Sequence, residues 1–122
     1  MSTKKILIIE DEQSLAHALE LKLTHSGFEV RTALDGISGL ELSDKETFDL
    51  ILLDLIMPKM NGYEVLAQLK EKQNKTPVIV LTNLGQDEDK TRVESLGVIG
   101  FFVKSNTPLA EIVEYIEKFF SK

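Results

Sequence analysis

The sequence predicts a doubly wound α/β domain built on a parallel sheet, and three observations lead there. Short runs rich in branched or aromatic apolar residues recur five times, at Lys5–Ile9, Phe28–Thr32, Leu50–Leu53, Val78–Leu81 and Ile99–Val103. They are too short for helices and too uniformly apolar for strands with one wet face, which is the pattern of strands buried on both sides. Between them lie segments with apolar residues at helical spacing, and alternation of strand and helix through five units leads to parallel pairing by crossover connections.

Each element has its own warrant. Lys5–Ile9 opens the sheet and runs directly into Glu10-Asp11-Glu12. Leu15, Ala18, Leu19 and Leu23 repeat at three and four, which predicts a helix, and Gly27 supplies its stop signal. Phe28–Thr32 is the second strand and Leu50–Leu53 the third, central one, followed by a turn at Met57-Pro58. Val65, Leu66 and Leu69 place a helix after Asn61-Gly62. Val78–Leu81 ends at Thr82, and Ile99–Val103 ends at Lys104. Leu109, Ile112, Val113, Ile116 and Phe120 form a strong closing stripe, with Thr107 as N-cap and Pro108 in the first turn. The segment Gln86–Leu96 differs from the others, because only Val93 and Leu96 are offered to a core. Weak apolar anchoring predicts a helix of low local stability there.

Composition narrows the function. At 122 residues the chain has the size of a single domain, expected to occupy residues 1–122, with any effector domain lying outside this chain. Its 43% apolar and 28% charged residues exclude a disordered or fibrous chain. It has no cysteine, which excludes a thiol nucleophile, a disulfide scaffold and cysteine-ligated metal centres, and suits a reducing interior. A formal charge of −6 argues against direct nucleic-acid binding, which needs a basic surface. No apolar run approaches the roughly 20 residues of a membrane span, and Ile6–Ile9 is too short for a signal peptide core. His17 and His25 lie off the first helix's apolar stripe, and Lys70, Lys72 and Lys75 form a solvated rim.

The strand ends carry the chemistry. Glu10, Asp11, Asp54, Thr82 and Lys104 all follow or close a predicted strand, and in open α/β sheets these carboxyl ends converge on the ligand crevice. Carboxylates crowded together call for a counter-charge. Oxygen ligands from Glu10, Asp11 and Asp54 suit a hard cation such as Mg²⁺. Lys104 offers a point charge, and Thr82 a hydroxyl, to a phosphoryl group. Asp54, at the end of the central strand, is the best nucleophile for forming an acyl phosphate there.

Four segments stand in register with one family along nearly the whole chain: Ile6–Glu12, Asp49–Gly62, Pro77–Thr82 and Gly100–Lys104. On these motifs the chain resembles the receiver domains of two-component response regulators, the CheY-like superfamily. The resemblance implies a five-stranded flavodoxin-like sheet of order 2-1-3-4-5 with five helices. It implies Asp54 as phosphoacceptor, with Glu10, Asp11, Asp54 and the backbone carbonyl of Ile56 as ligands of Mg²⁺. Thr82 then matches the switch hydroxyl, Lys104 the phosphate-contacting lysine and Phe101 the switch aromatic, while Phe102 should face the other way along its strand. The implied partners are a histidine kinase or phosphotransfer protein and a downstream effector, in the cytoplasm, with catalysis limited to the domain's own aspartyl phosphorylation and dephosphorylation. The face formed by helix four, strand five and helix five would switch, and two copies can pair through it.

Three positions depart from the family pattern. Ser105 stands where proline usually follows the lysine across a cis bond, so that bond is either trans with a reshaped loop or cis without proline. Asn83 follows Thr82 where a very small residue is usual, and its bulk would narrow the site. Asn61 replaces the commoner aspartate before Gly62, and also suits a turn with positive φ. Rival readings fit less well. A haloacid-dehalogenase-type phosphatase needs a second aspartate two residues beyond the nucleophile, where this chain has Ile56. A flavodoxin-like FMN carrier needs a phosphate loop where Glu10-Asp11-Glu12 would repel the phosphate. A pseudo-receiver acting only as an interaction module would not need the full set of acidic, hydroxyl and lysine groups.

Ile56 and Leu84 are apolar positions expected to line the site and hinder the attacking water, giving a long-lived acyl phosphate. Replacing both with polar residues should speed loss of the phosphoryl group, followed by intact mass over time; an unchanged decay rate would contradict the idea.

Overall fold

A computed structural model of the chain describes residues 3–83 and 87–121, and of residues 87–89 the backbone alone. Five parallel strands, β1 (Lys5–Ile9), β2 (Glu29–Ala33), β3 (Leu50–Leu53), β4 (Val78–Thr82) and β5 (Gly100–Val103), form one sheet in the order β2-β1-β3-β4-β5. The helices are α1 (Gln13–His25), α2 (Gly36–Lys45), α3 (Gly62–Glu71), α4 (Asp87–Glu94) and α5 (Leu109–Phe120). Among the described residues no helix is long and apolar enough to cross a membrane.

Strand alternation divides the core in two. On one face Leu7, Ile9, Ile51, Leu53, Val78 and Val80 pack against Leu40 of α2, Val65, Leu66 and Leu69 of α3 and Val93 of α4. On the other, Ile6, Ile8, Leu50, Leu52, Ile79 and Leu81 pack against Ala16, Leu19 and Leu23 of α1 and Ile112, Val113 and Ile116 of α5. Because both faces are covered, the inner strands β1, β3 and β4 are apolar along almost their whole length, whereas the edge strand β2 (Glu29–Ala33) alternates, with Val30 and Ala33 buried and Glu29 and Arg31 exposed.

Helix ends follow local chemistry. After α1, Gly27 takes φ +99° and the Phe28 amide donates back to the Leu23 carbonyl, a left-handed helix stop. Asp35 caps α2 by accepting from the Ser38 amide at 2.8 Å. Asn61 caps α3 in a reciprocal box with Glu64, each side chain accepting from the other's amide. Its φ is −77°, so its value is as a cap rather than as a positive-φ turn residue; the positive φ of this loop falls on Lys59. The last helix also begins later than its sequence suggests. Lys104–Asn106 forms a 3₁₀ turn, Thr107 is extended behind it, and Pro108 stands at the cap position of α5 without a side-chain cap. Thr107 closes that turn instead of capping the helix, so the cap falls one residue later than expected, on Pro108.

The α4 segment matches its weak apolar pattern. Val93 is wholly buried and Leu96 half-buried, and the Arg92 guanidinium lies 3.8 Å over the Tyr63 ring of α3. Gln86 lies outside the described residues.

Gly62 opens α3 where the helix passes closest to the end of β3. A Cβ there would stand 2.5 Å from the Asp54 carbonyl oxygen and 2.6 Å from the Leu55 Cα. Helix propensity alone favours alanine over glycine by up to about 1 kcal/mol. Backbone crowding acts in the other direction, so Gly62→Ala should destabilise the chain by about 1–3 kcal/mol in urea unfolding; a stabilised variant would refute the close approach.

Candidate functional site

The switch point of the sheet lies between β1 and β3, whose connections leave in opposite directions. Register Ile9↔Leu53 brings the next residues, Glu10 and Asp54, side by side. The Asp54 amide donates to the Ile9 carbonyl and the Glu10 amide to that of Ala33, at 3.0 Å each, so both carboxylates are carried by rigid backbone. They are deeply buried, Glu10 at 2% and Asp54 at 3% exposure. Asp11 is partly open to solvent.

Lys104 reaches this pair from the far side. It follows β5, two strands from β3, which is about 10 Å at ordinary strand spacing. Only a long side chain spans that distance. Its Nζ lies 2.8 Å from Glu10 Oε1, 3.0 Å from Asp54 Oδ2 and 3.2 Å from Glu12 Oε1. An ammonium has three protons, so each carboxylate can take one. The other oxygens are held by backbone: Glu10 Oε2 accepts from the Glu12 amide at 2.9 Å, and Asp54 Oδ1 from the Ile56 amide at 3.2 Å.

Electrostatics follow from this packing. Burial pushes the Glu10 carboxyl up to about 7, against the pull of the Lys104 and Glu12 hydrogen bonds, with the Asp54 charge adding to the rise. Burial works against the Lys104 charge as well, but its hydrogen bonds to Glu10 and Asp54 outweigh that and hold the ammonium above its usual range. The site therefore strongly favours a cation among its oxygens.

Carboxylate oxygens of Glu10, Asp11 and Asp54 lie within 4.8 Å of one another. An all-oxygen set of that span fits a small hard cation, whose opposed ligands stand about 4.2 Å apart at metal–oxygen distances near 2.1 Å. Above it is a cleft of about 180 Å³ lined by Asp11, Glu12, Asp54, Ile56, Asn83 and Lys104. Asn83 thus stands at the cleft wall, as its bulk suggested. Ile56 is there too, 53% exposed; Leu84 lies outside the described residues.

Thr82 ends β4 wholly buried, opposite Val103, and Phe101 pairs with Val80 on β5. Alternation puts Thr82 on the same sheet face as Val80, where Phe101 is half-buried against the core cluster that includes Val93. Phe102 joins the opposite cluster and meets Tyr115 edge-on at 5.3 Å. Among the described residues there is no cis peptide bond, so Lys104–Ser105 is trans and the loop is reshaped as the 3₁₀ turn. His17 and His25 are exposed on α1.

Glu12 is the participant that sequence reasoning passed over. The signal was present as the third acidic residue in tandem, but nothing in the sequence shows that its side chain turns toward Lys104 instead of capping α1.

Comparisons with known proteins agree with this geometry. The family described as the response regulator receiver domain matches residues 6–117. The response regulator ArlR of Staphylococcus saprophyticus is 43% identical over 100 residues, and that of Staphylococcus aureus 41%. Each alignment covers 82% of this chain and 45% of the relative, so the chain spans about half the length of the curated relatives it matches. Among solved structures, Vibrio cholerae chemotaxis protein CheY4 superposes with a TM-score of 0.86 at 30% identity, covering 96% of this chain and 98% of that one. TrrA of Thermotoga maritima, solved in complex with Mg²⁺ and BeF, gives 0.81 at 28% identity, covering 95% and 98%. The five-stranded sheet, its switch-point acids and the family match together establish that the chain belongs to the response regulator receiver domains of two-component systems.

Proposed function

We propose that residues 1–122 act as a phosphoryl-accepting switch: Asp54 takes a phosphoryl group from the phosphohistidine of a histidine kinase or phosphotransfer protein, in a Mg²⁺-dependent reaction. The observation that carries this reading is the convergence of Glu10, Asp54 and Lys104 on one buried point beside an open cleft. Glu10, Asp11, Asp54 and the backbone carbonyl of Ile56 would hold the metal. When bound, Mg²⁺ supplies positive charge that the phosphoryl oxygens need as they approach the carboxylates. An Asp54 carboxylate oxygen bonds to phosphorus as the phosphorus–nitrogen bond breaks, and the imidazole leaves with the bonding pair. Lys104 and Thr82 bind the equatorial oxygens, where charge develops.

The switch would follow from where these residues sit. Thr82 and Phe101 share a sheet face with Val93, the buried anchor of α4. Thr82 moving toward the phosphoryl group would vacate space for Phe101 to turn inward, and so reshape the face of α4, β5 and α5 for an effector or a second copy. Weak apolar anchoring of α4 favours such a two-state response. In this reading the domain catalyses only its own phosphorylation and dephosphorylation, and works in the cytoplasm with no direct contact to nucleic acid or membrane.

Incubation with acetyl phosphate and Mg²⁺ should add one phosphoryl group to the intact mass. The adduct should be absent from Asp54→Ala and without Mg²⁺. An unmodified wild-type chain, or an equal adduct on the variant, would contradict the assignment.

A further inference from the structure

We propose that Glu12 is a positioning residue for Lys104, holding its ammonium over the cleft when Glu10 and Asp54 turn to a metal; the inference rests on the phosphoacceptor reading above. Lys104 has three carboxylate partners, and two of them belong to the group of oxygens suited to a cation. Once Glu10 and Asp54 serve a divalent ion, the ammonium loses those partners and meets a second positive charge nearby. Glu12 is the partner left over. Its carboxylate lies outside the metal-suited group, on the cleft wall and half exposed, 3.2 Å from Nζ.

Two further features point to this role. Glu12 occupies the N-cap position of α1 with extended dihedrals, φ −79° and ψ 104°, yet its side chain makes no cap hydrogen bond. Short oxygen-bearing side chains are favoured at caps because they reach the free amides of the first turn; here the longer carboxylate is turned outward to Lys104. In addition, its amide donates to Glu10 Oε2, so the backbone bearing the tether is registered to the buried acid itself. A residue anchored this way can keep Lys104 within reach of a phosphoryl oxygen without competing for the metal.

The sign of a substitution effect separates a tether from a mere nearby charge. Beryllofluoride, an anionic mimic of the phosphoryl group, would be titrated into the full chain at saturating Mg²⁺, with affinity read by calorimetry. The variants are Glu12→Ala, Lys104→Gln and the pair together, and circular dichroism checks the fold of each. If Glu12 positions Lys104, Glu12→Ala weakens beryllofluoride binding about three- to tenfold, equivalent to roughly 0.7–1.4 kcal/mol. In the Lys104→Gln background the same change leaves affinity unchanged or tightens it, because only a repelling negative charge is removed. Tighter binding or no change in the otherwise wild-type chain, or equal weakening in both backgrounds, would overturn the assignment of Glu12 alone. Failure of the wild-type chain to bind beryllofluoride with Mg²⁺ would overturn the phosphoacceptor reading as well.

Discussion

Two carboxylates buried side by side at the end of a parallel sheet are tenable only with a cation between them, and much of this fold serves that need. Burial makes ionising Glu10 costlier than at the surface, and removing the ammonium beside the pair would leave buried carboxylate charge uncompensated. Lys104 supplies the charge from two strands away. To do so, β5 must end at the right height beside β4, and the turn behind it must direct the side chain inward. The register of β4 with β5 and the 3₁₀ turn at Lys104–Asn106 meet those two conditions. The acids in turn depend on the register of β1 with β3, and Gly62 lets α3 approach closely enough to pack the end of β3.

The same arrangement suits a switch. The Lys104 ammonium resident among the carboxylates holds the cluster together, and in the proposed reading a change of charge at Asp54 would redistribute its partners. Such redistribution is transmitted best through an element with little holding it in place. α4, with Val93 the one fully buried side chain among its described residues and Arg92 laid over Tyr63, is such an element, whereas α5 has Ile112, Val113 and Ile116 wholly or nearly buried. In the proposed reading, a local change of charge coupled to a weakly held helix would be the physical content of a population shift.

Much of this was legible in the sequence, and the misses have physical causes. The inner strands were plain because burial on both faces makes them nearly continuous apolar runs, unlike the edge strand β2, and the site acids were plain because they interrupt such runs abruptly. Asp54 and Lys104 could be paired only through the fold, since 50 residues separate them. α2 was the least visible helix. Gly36 and Gly39 are buried in it where a side chain would strike Met60 and Ile9, so contact with neighbours, not an apolar stripe, determines its sequence. The start of α5 was misplaced because Thr-Pro carries a strong capping signal that the preceding 3₁₀ turn overrides. Glu12 was missed because periodicity says where a side chain points along a helix, but not which way it turns at the cap.

The most direct test of the central claim, that this buried cluster is a cation-compensated metal site, is a Mg²⁺ titration of the isotopically labelled chain followed by amide resonances. The account predicts saturable shifts concentrated at residues 10–12, 54–56 and 104, with Lys104 responding although it is no metal ligand, and their loss in Asp54→Ala. Uniform small shifts across the chain, or saturation at surface acids with residues 10, 54 and 104 unmoved, would contradict it.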